Sequence, residues 1–183
     1  MERTTNNQGR TVPPSGGGGG MKELLVQYAN FNVWATQRIT DVIVQLPEEK
    51  IHTEITSSFP TMYKTVLHLL DAESIWWQRL KLQEHIDRPS KSFTGSFAEL
   101  QKKLLQQSSL FSEWVNNASD PQLQHVFAYI RDKEQNKMQV FDMLIHLFNH
   151  NSYHRGQLVT MLRQMGVTKI PSTDFAAYLR SKK

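Results

Sequence analysis

Residues 144–166 read LIHLFNHNSYHRGQLVTMLRQMG, a proline-free stretch that carries three of the chain's seven histidines, His146, His150 and His154. It reads as part of one helix running from about 139 to 165. Gly166 follows as the residue beyond its end, where glycine readily takes the left-handed backbone that closes a helix. Four residues on a helix turn about 400°, so neighbours in this histidine series are only about 40° apart and share a face. Two imidazoles spaced i, i+4 can be presented to one metal ion, as in the HExxH arrangement. No Glu follows the first histidine here, so the general base of that metalloprotease motif is missing and the protease reading fails. A third ligand has to come from elsewhere. His68 is the candidate, set among Leu67, Leu69 and Leu70 in a second helical stretch. The competing reading is that a histidine on an apolar helix is a core residue hydrogen-bonded to a neighbour, because a buried imidazole without a partner is costly. His52, His85 and His125 fall in predicted loops or helix ends and read as solvated.

Outward from this stretch, the prolines set the organisation. Each lacks an N–H donor and clashes with the preceding helical turn. Pro47, Pro60, Pro89, Pro121 and Pro171 divide the chain after Met21 into four long stretches and a short tail. In 23–45 the apolar residues Leu24, Leu25, Tyr28, Phe31, Trp34, Ala35, Ile39, Val42 and Ile43 recur at steps of three and four, which predicts an amphipathic helix. A second helix is predicted over 61–83, with Val66, Leu67, Leu70, Ile75, Trp76, Trp77 and Leu80 as its apolar set. Residues 84–95 are polar and read as a loop. Ser96 followed by Glu99 has the capping-box pattern, so a third helix runs over 97–117. Residues 124–140 predict a long, partly extended crossover, with His125 to Ile130 extended and Arg131 to Asn136 polar. Beyond Pro171, Ser172 is the expected cap of a short last helix through Leu179. The fold class is therefore all-α, an antiparallel four-helix bundle with a long crossover before its last helix and a short C-terminal helix. Trp34, Trp76, Trp77 and Trp114 read as core, some of them able to line a pocket beside His68.

Length and composition bound the function. A chain of 183 residues predicts one domain. Lys and Arg number 21 against 17 Asp and Glu, a net +4 with no block of like charge, which gives no footing for nucleic-acid binding. The absence of cysteine removes disulfides, thiolate zinc sites and a thiol nucleophile together. No run approaches the roughly 18 consecutive apolar residues of a membrane span. The N-terminus is polar rather than basic and then apolar, so no secretory signal is read and a cytoplasmic location is expected. Residues 1–20 hold six of the nine glycines and almost no aliphatic side chain. They read as a disordered leader or added segment ahead of Met21, with the folded domain over 21–183.

The same stretch, with His150, three intervening residues and then His154-Arg155-Gly156-Gln157, resembles the DinB family of four-helix-bundle proteins. The first helix, YANFNVWATQRI, is similar to that family's opening helix in Tyr28, Trp34 and Ala35. The second, VLHLLDAESIWWQRL, resembles the family's second helix, where a histidine precedes an acidic residue and an aromatic turn. The close, with Pro171, Thr173, Asp174 and Tyr178, is similar as well, so the resemblance spans Met21 to the C-terminus.

The resemblance implies a divalent metal ion, zinc or nickel, held by His68, His150 and His154 with water in the open positions. His146 would sit a turn away, as a fourth ligand or in support of the others. Imidazole suits either metal, and three protein ligands plus water is the pattern of catalytic sites. Gly156 is expected to let another helix approach closely. Asp71, one turn after His68, is expected to be a surface carboxylate rather than a partner of the site. Some members of the family are thiol-dependent S-transferases and others have been called hydrolases. The leading expectation is thus a metal-dependent enzyme that activates a low-molecular-weight thiol or water against a small-molecule substrate, without nucleic-acid or membrane partners. The alternative is a non-catalytic metal- or ligand-binding bundle that acts through a homodimer.

Overall fold

The computed structural model describes residues 19–131 and 133–182. In chain order the elements are α1 (Gly19–Ile43), α2 (Glu48–His52), α3 (Met62–Leu80), α4 (Phe97–Asn117), α5 (Asp120–Gln124), β1 (Val126–Arg131), β2 (Glu134–Gln139), α6 (Val140–Gln164) and α7 (Phe175–Arg180). The four long helices match the four predicted stretches to within a few residues, and their ends follow local chemistry. The Thr61 hydroxyl accepts from the Lys64 N–H at the start of α3. Ser96 and Glu99 form the predicted capping box on α4. Gly166, at φ 83, closes α6, with Val167 N bonded to Leu162 O and Gly166 N to Arg163 O, the pairing of a Schellman end. The last short helix is capped by Asp174, which accepts from Ala177 N, and not by Ser172, whose hydroxyl instead donates to Asp174. Helix α1 starts at Gly19, so Gly19 and Gly20 leave the segment expected to lack structure. The same expectation for residues 1–18 lies outside the described residues.

Two expectations about architecture are corrected. The fold is not purely all-α, because the crossover before α6 contains an antiparallel hairpin pairing Val126 with Gln139 through Arg131 with Glu134. Phe127 is buried and Tyr129 half-buried, while Val126, Ala128 and Ile130 face out. That is the period of two of a strand with one face on the bundle. The polar run after Arg131 belongs to the second strand, since a single hairpin leaves most of its residues in water.

The bundle is also not uniformly antiparallel. Helices α1 and α3 sit at diagonal corners, each packed on both α4 and α6. Across the α3–α4 contact, Tyr63 bonds to Gly95 O, Glu73 to Ser108, and Trp77 packs on Phe111, so these two helices run the same way. Helices α1 and α6 do so too, with Leu25 and Ala29 beside Leu144 and Phe148, and Ile39 and Ile43 beside Leu158 and Leu162. The remaining neighbours are antiparallel: Asn30 meets Ser112 and Thr40 meets Gln101 between α1 and α4, while His68 meets His150 and Thr65 meets Met161 between α3 and α6. Parallel α3 and α4 require the chain to return the length of a helix between them. Residues 81–96 do this, tethered back along α3 by Gln78 to Asp87, Asp71 to Ser90 and Tyr63 to Gly95. Asp71 is therefore a surface carboxylate that anchors this return segment.

The core divides into two apolar clusters along the bundle. One gathers Leu25, Trp76, Phe111, Val115, Leu144 and Phe148. The other gathers Ile39, Ile43, Met62, Leu100, Leu104 and Leu162. Between them lies a buried polar layer of Asn32, Thr36, Glu73, Ser108, Asn151 and Arg155, contributed by all four long helices. A smaller cluster of Phe31, Ala35 and Tyr178 docks the C-terminal helix on α1.

Candidate metal centre

His68 projects from α3, and His150 and His154 from successive turns of α6, into the seam where these antiparallel helices meet. One ligating nitrogen from each lies within 4.8 Å of those of the other two. The Nε2 atoms of His68 and His150 are 3.0 Å apart. Two nitrogens each about 2.0–2.1 Å from a tetrahedral zinc would be separated by roughly 3.3 Å, so the His68–His150 pair is already spaced for one ion and His154 lies within reach of the same point. The imidazole donor set fits as well, being suited to zinc and nickel.

In His154 and His150 the other ring nitrogen is engaged, which leaves Nε2 for a metal. His154 Nδ1 lies 2.8 Å from Gln157 Oε1, and Gln157 Nε2 donates to Ser58 Oγ at 2.7 Å. Because the Gln157 amide nitrogen is committed to Ser58, its oxygen accepts, which places the His154 proton on Nδ1. His150 Nδ1 lies 3.4 Å from Asn151 Oδ1. The Asn151 amide nitrogen donates to Glu73 Oε1 at 2.6 Å and to Asn32 Oδ1 at 3.1 Å, so its oxygen is likewise the acceptor. Hydrogen bonds of this kind fix the tautomer and ring orientation of metal-bound histidines. Phe59, held in the 53–60 loop by the Ile55 N to Pro60 O bond, stacks on the His68 ring at 4.1 Å and screens it from water.

Burial lowers the pKa of all three histidines, most for His68, to about 4, where the neighbouring rings and Arg88 add to the effect. They therefore stand neutral and ready to ligate at neutral pH. His146 is outside the group. Its ring lies 6.1 Å from that of His150 and edge-on to Trp76 at 5.5 Å. His52, His85 and His125 are exposed, as expected.

The sequence reading missed the layer beneath the histidines. Glu73 is fully buried and accepts from Asn32 at 3.0 Å, from Asn151 and from the Ser108 hydroxyl. Arg155 donates to Asn32 Oδ1 at 2.7 Å, to Thr36 and to Ser152. Burial raises the Glu73 carboxyl to about 7 despite these donors, and lowers Arg155 to about 10. A signal was present: these polar residues fall in step with the apolar stripes, Glu73 between Leu70 and Trp76, Asn151 and Arg155 between Leu147 and Leu158. The expectation for Gly156 is corrected. Gly156 is exposed, and an added Cβ would meet nothing within 4 Å, so no helix packs there. Its bare backbone lines a cleft of about 290 Å³ with Ile55, Thr56, Tyr153 and Gln157.

The model of the DinB family matches residues 20–183, and the chain belongs to that family. Protein DinB of Bacillus subtilis (strain 168) is 29% identical over 170 residues, covering 87% of this chain and 95% of that protein. The crystal structure of a DinB-like protein from Bacillus cereus ATCC 10987 shares the fold, with a TM-score of 0.66 at 22% identity, over 82% of this chain and 95% of that one.

Proposed function

We propose that the protein is a metal-dependent enzyme acting on a small molecule, with His68, His150 and His154 holding one divalent ion, zinc or nickel. The observation that carries this reading is the convergence of three imidazole nitrogens, with the second nitrogen engaged by Gln157 in His154 and by Asn151 in His150. A metal held there would lower the pKa of a bound thiol or water and supply a nucleophile near neutral pH. The chain has no cysteine, so a thiol in the reaction comes from a low-molecular-weight cofactor. The chain's own part is positional. Gln157 and Asn151 hold two rings in one tautomer, Phe59 covers the third, and the Glu73 network fixes the α6 backbone from which Asn151 and His154 project. A thiol S-transferase or a hydrolase both fit this description.

One observation favours the second reading, a non-catalytic metal- or ligand-binding bundle acting as a homodimer: among the described residues no carboxylate joins the histidine group, so no ready general base faces it. Zinc- or nickel-loaded protein incubated with thiols and alkyl or aryl electrophiles, against metal-free protein, separates the two. Metal-dependent thioether formation supports the enzyme. A cytoplasmic location belongs to the same proposal. It is supported only by the finding that no described helix is long and apolar enough to cross a membrane.

A further inference from the structure

Past the histidines, toward the hairpin, the seam between α3 and α6 is cationic and aromatic. Arg79 of α3 lies over the ring of Trp76 and over that of Tyr129 from β1, 4.6 Å from each centroid. One of its N–H groups reaches Ile130 O at 3.3 Å. Its Nε is buried and has no hydrogen-bond partner among the described residues. Arg88, on the return segment after α3, is exposed and close enough to act electrostatically on both Arg79 and His68. Arg131, at the hairpin turn, acts on Arg79 and on His146. Among the described residues no Asp or Glu oxygen lies within 4.0 Å of Arg79 or Arg88.

Like charges gathered at one end of a seam repel, and a buried N–H without an acceptor costs free energy. The aromatic sandwich holds the guanidinium plane in place without neutralising it. An oxyanion at the guanidinium would relieve the repulsion, since the guanidinium fork matches the oxygens of a carboxylate or phosphate. We propose that Arg79 and Arg88 form an anion subsite beside the histidine centre, so that a molecule bound along this seam carries a carboxylate, sulfonate or phosphate group. On α3, Trp76 stands eight residues and Arg79 eleven residues after His68. The anionic group therefore sits two to three turns from the histidines, roughly 12–16 Å along the seam. That this molecule is the one that reacts rests on the reading of the histidines as a metal centre.

Sulfate is the probe, titrated at constant ionic strength against chloride into full-length protein, both metal-free and zinc-loaded, with bound zinc measured on the same samples. The Arg79 Nε–H and Trp76 indole signals in the nitrogen–proton NMR spectrum report the subsite directly. Both should move saturably in the two forms. Arg88→Gln, a surface change, should weaken the apparent affinity at least about fivefold, in line with losing one charge-assisted contact. Arg79→Gln should abolish the response of the Trp76 indole. A linear drift without saturation, or an unchanged titration in Arg88→Gln, overturns the subsite. Saturable sulfate binding in protein that takes up no zinc keeps the subsite and removes the metal reading. Zinc uptake without saturable sulfate binding does the reverse.

Discussion

Gln157 stands one turn after His154 on α6 and accepts its Nδ1 proton at 2.8 Å while donating to Ser58 at 2.7 Å, so one side chain both orients a ring of the histidine cluster and ties α6 to the loop that carries Phe59. Losing such a partner of a metal-bound histidine typically weakens metal affinity 10–100-fold. Gln157→Leu should therefore lower zinc affinity by at least about tenfold with little change in helical content. Competition with a chromophoric chelator measures the first and circular dichroism the second.

Glu73 accepts from residues on three helices other than its own. Glu73→Ala would leave Asn32, Asn151 and Ser108 buried without their shared acceptor and should cost about 3 kcal/mol or more of unfolding free energy. Urea unfolding of the metal-free protein checks this.

The pH dependence of Glu73 has a definite sign. Its folded-state pKa is raised from 4.5 to about 7, so between those values the folded chain holds a proton that the unfolded chain has released. Stability from this group is full below about pH 4.5 and is lost as pH rises through 7. Glu73→Gln removes that dependence while other groups cancel in the comparison. The stability difference between variant and wild type should shift in favour of the variant as pH goes from 4.5 to 7.5. A difference independent of pH would show that Glu73 titrates normally.

Gly156 occupies an exposed helical position with open space where a Cβ would stand. Glycine within a helix is less favourable than alanine by about 0.5–1 kcal/mol. Gly156→Ala should raise stability by that amount in thermal or urea unfolding. A loss of stability would mean that the bare backbone is packed against something.

The four long helices and the cap of α4 were legible because they are local. Proline spacing, three-and-four periodicity and the Ser96–Glu99 box each act within a turn or two of chain. Helix direction was not, since periodicity marks which face is buried and says nothing of which way a neighbour runs. The parallel α3 and α4 depend on Asp71, Gln78 and Tyr63 tethering a return segment far along the chain. The hairpin was half visible, in the apolar half from Val126 to Ile130. Its partner strand is polar and takes its form from pairing alone. At the site, His150 and His154 followed from spacing, whereas His68 was fixed as the third member by a family resemblance. The Glu73 network is hidden in the sequence because its members lie in register with the apolar stripes of their helices. That Arg79 has no carboxylate partner among the described residues emerges only once the hairpin is folded onto α3.

The central claim is that His68, His150 and His154 share one metal ion. Elemental analysis of protein purified without a chelating tag, wild type beside His68→Ala, His154→Ala and His125→Ala, tests it most directly. The account predicts close to one divalent ion per chain in wild type and in His125→Ala, and loss of most of it in the other two. His68→Ala protein that keeps metal at full occupancy and affinity would contradict the three-histidine centre.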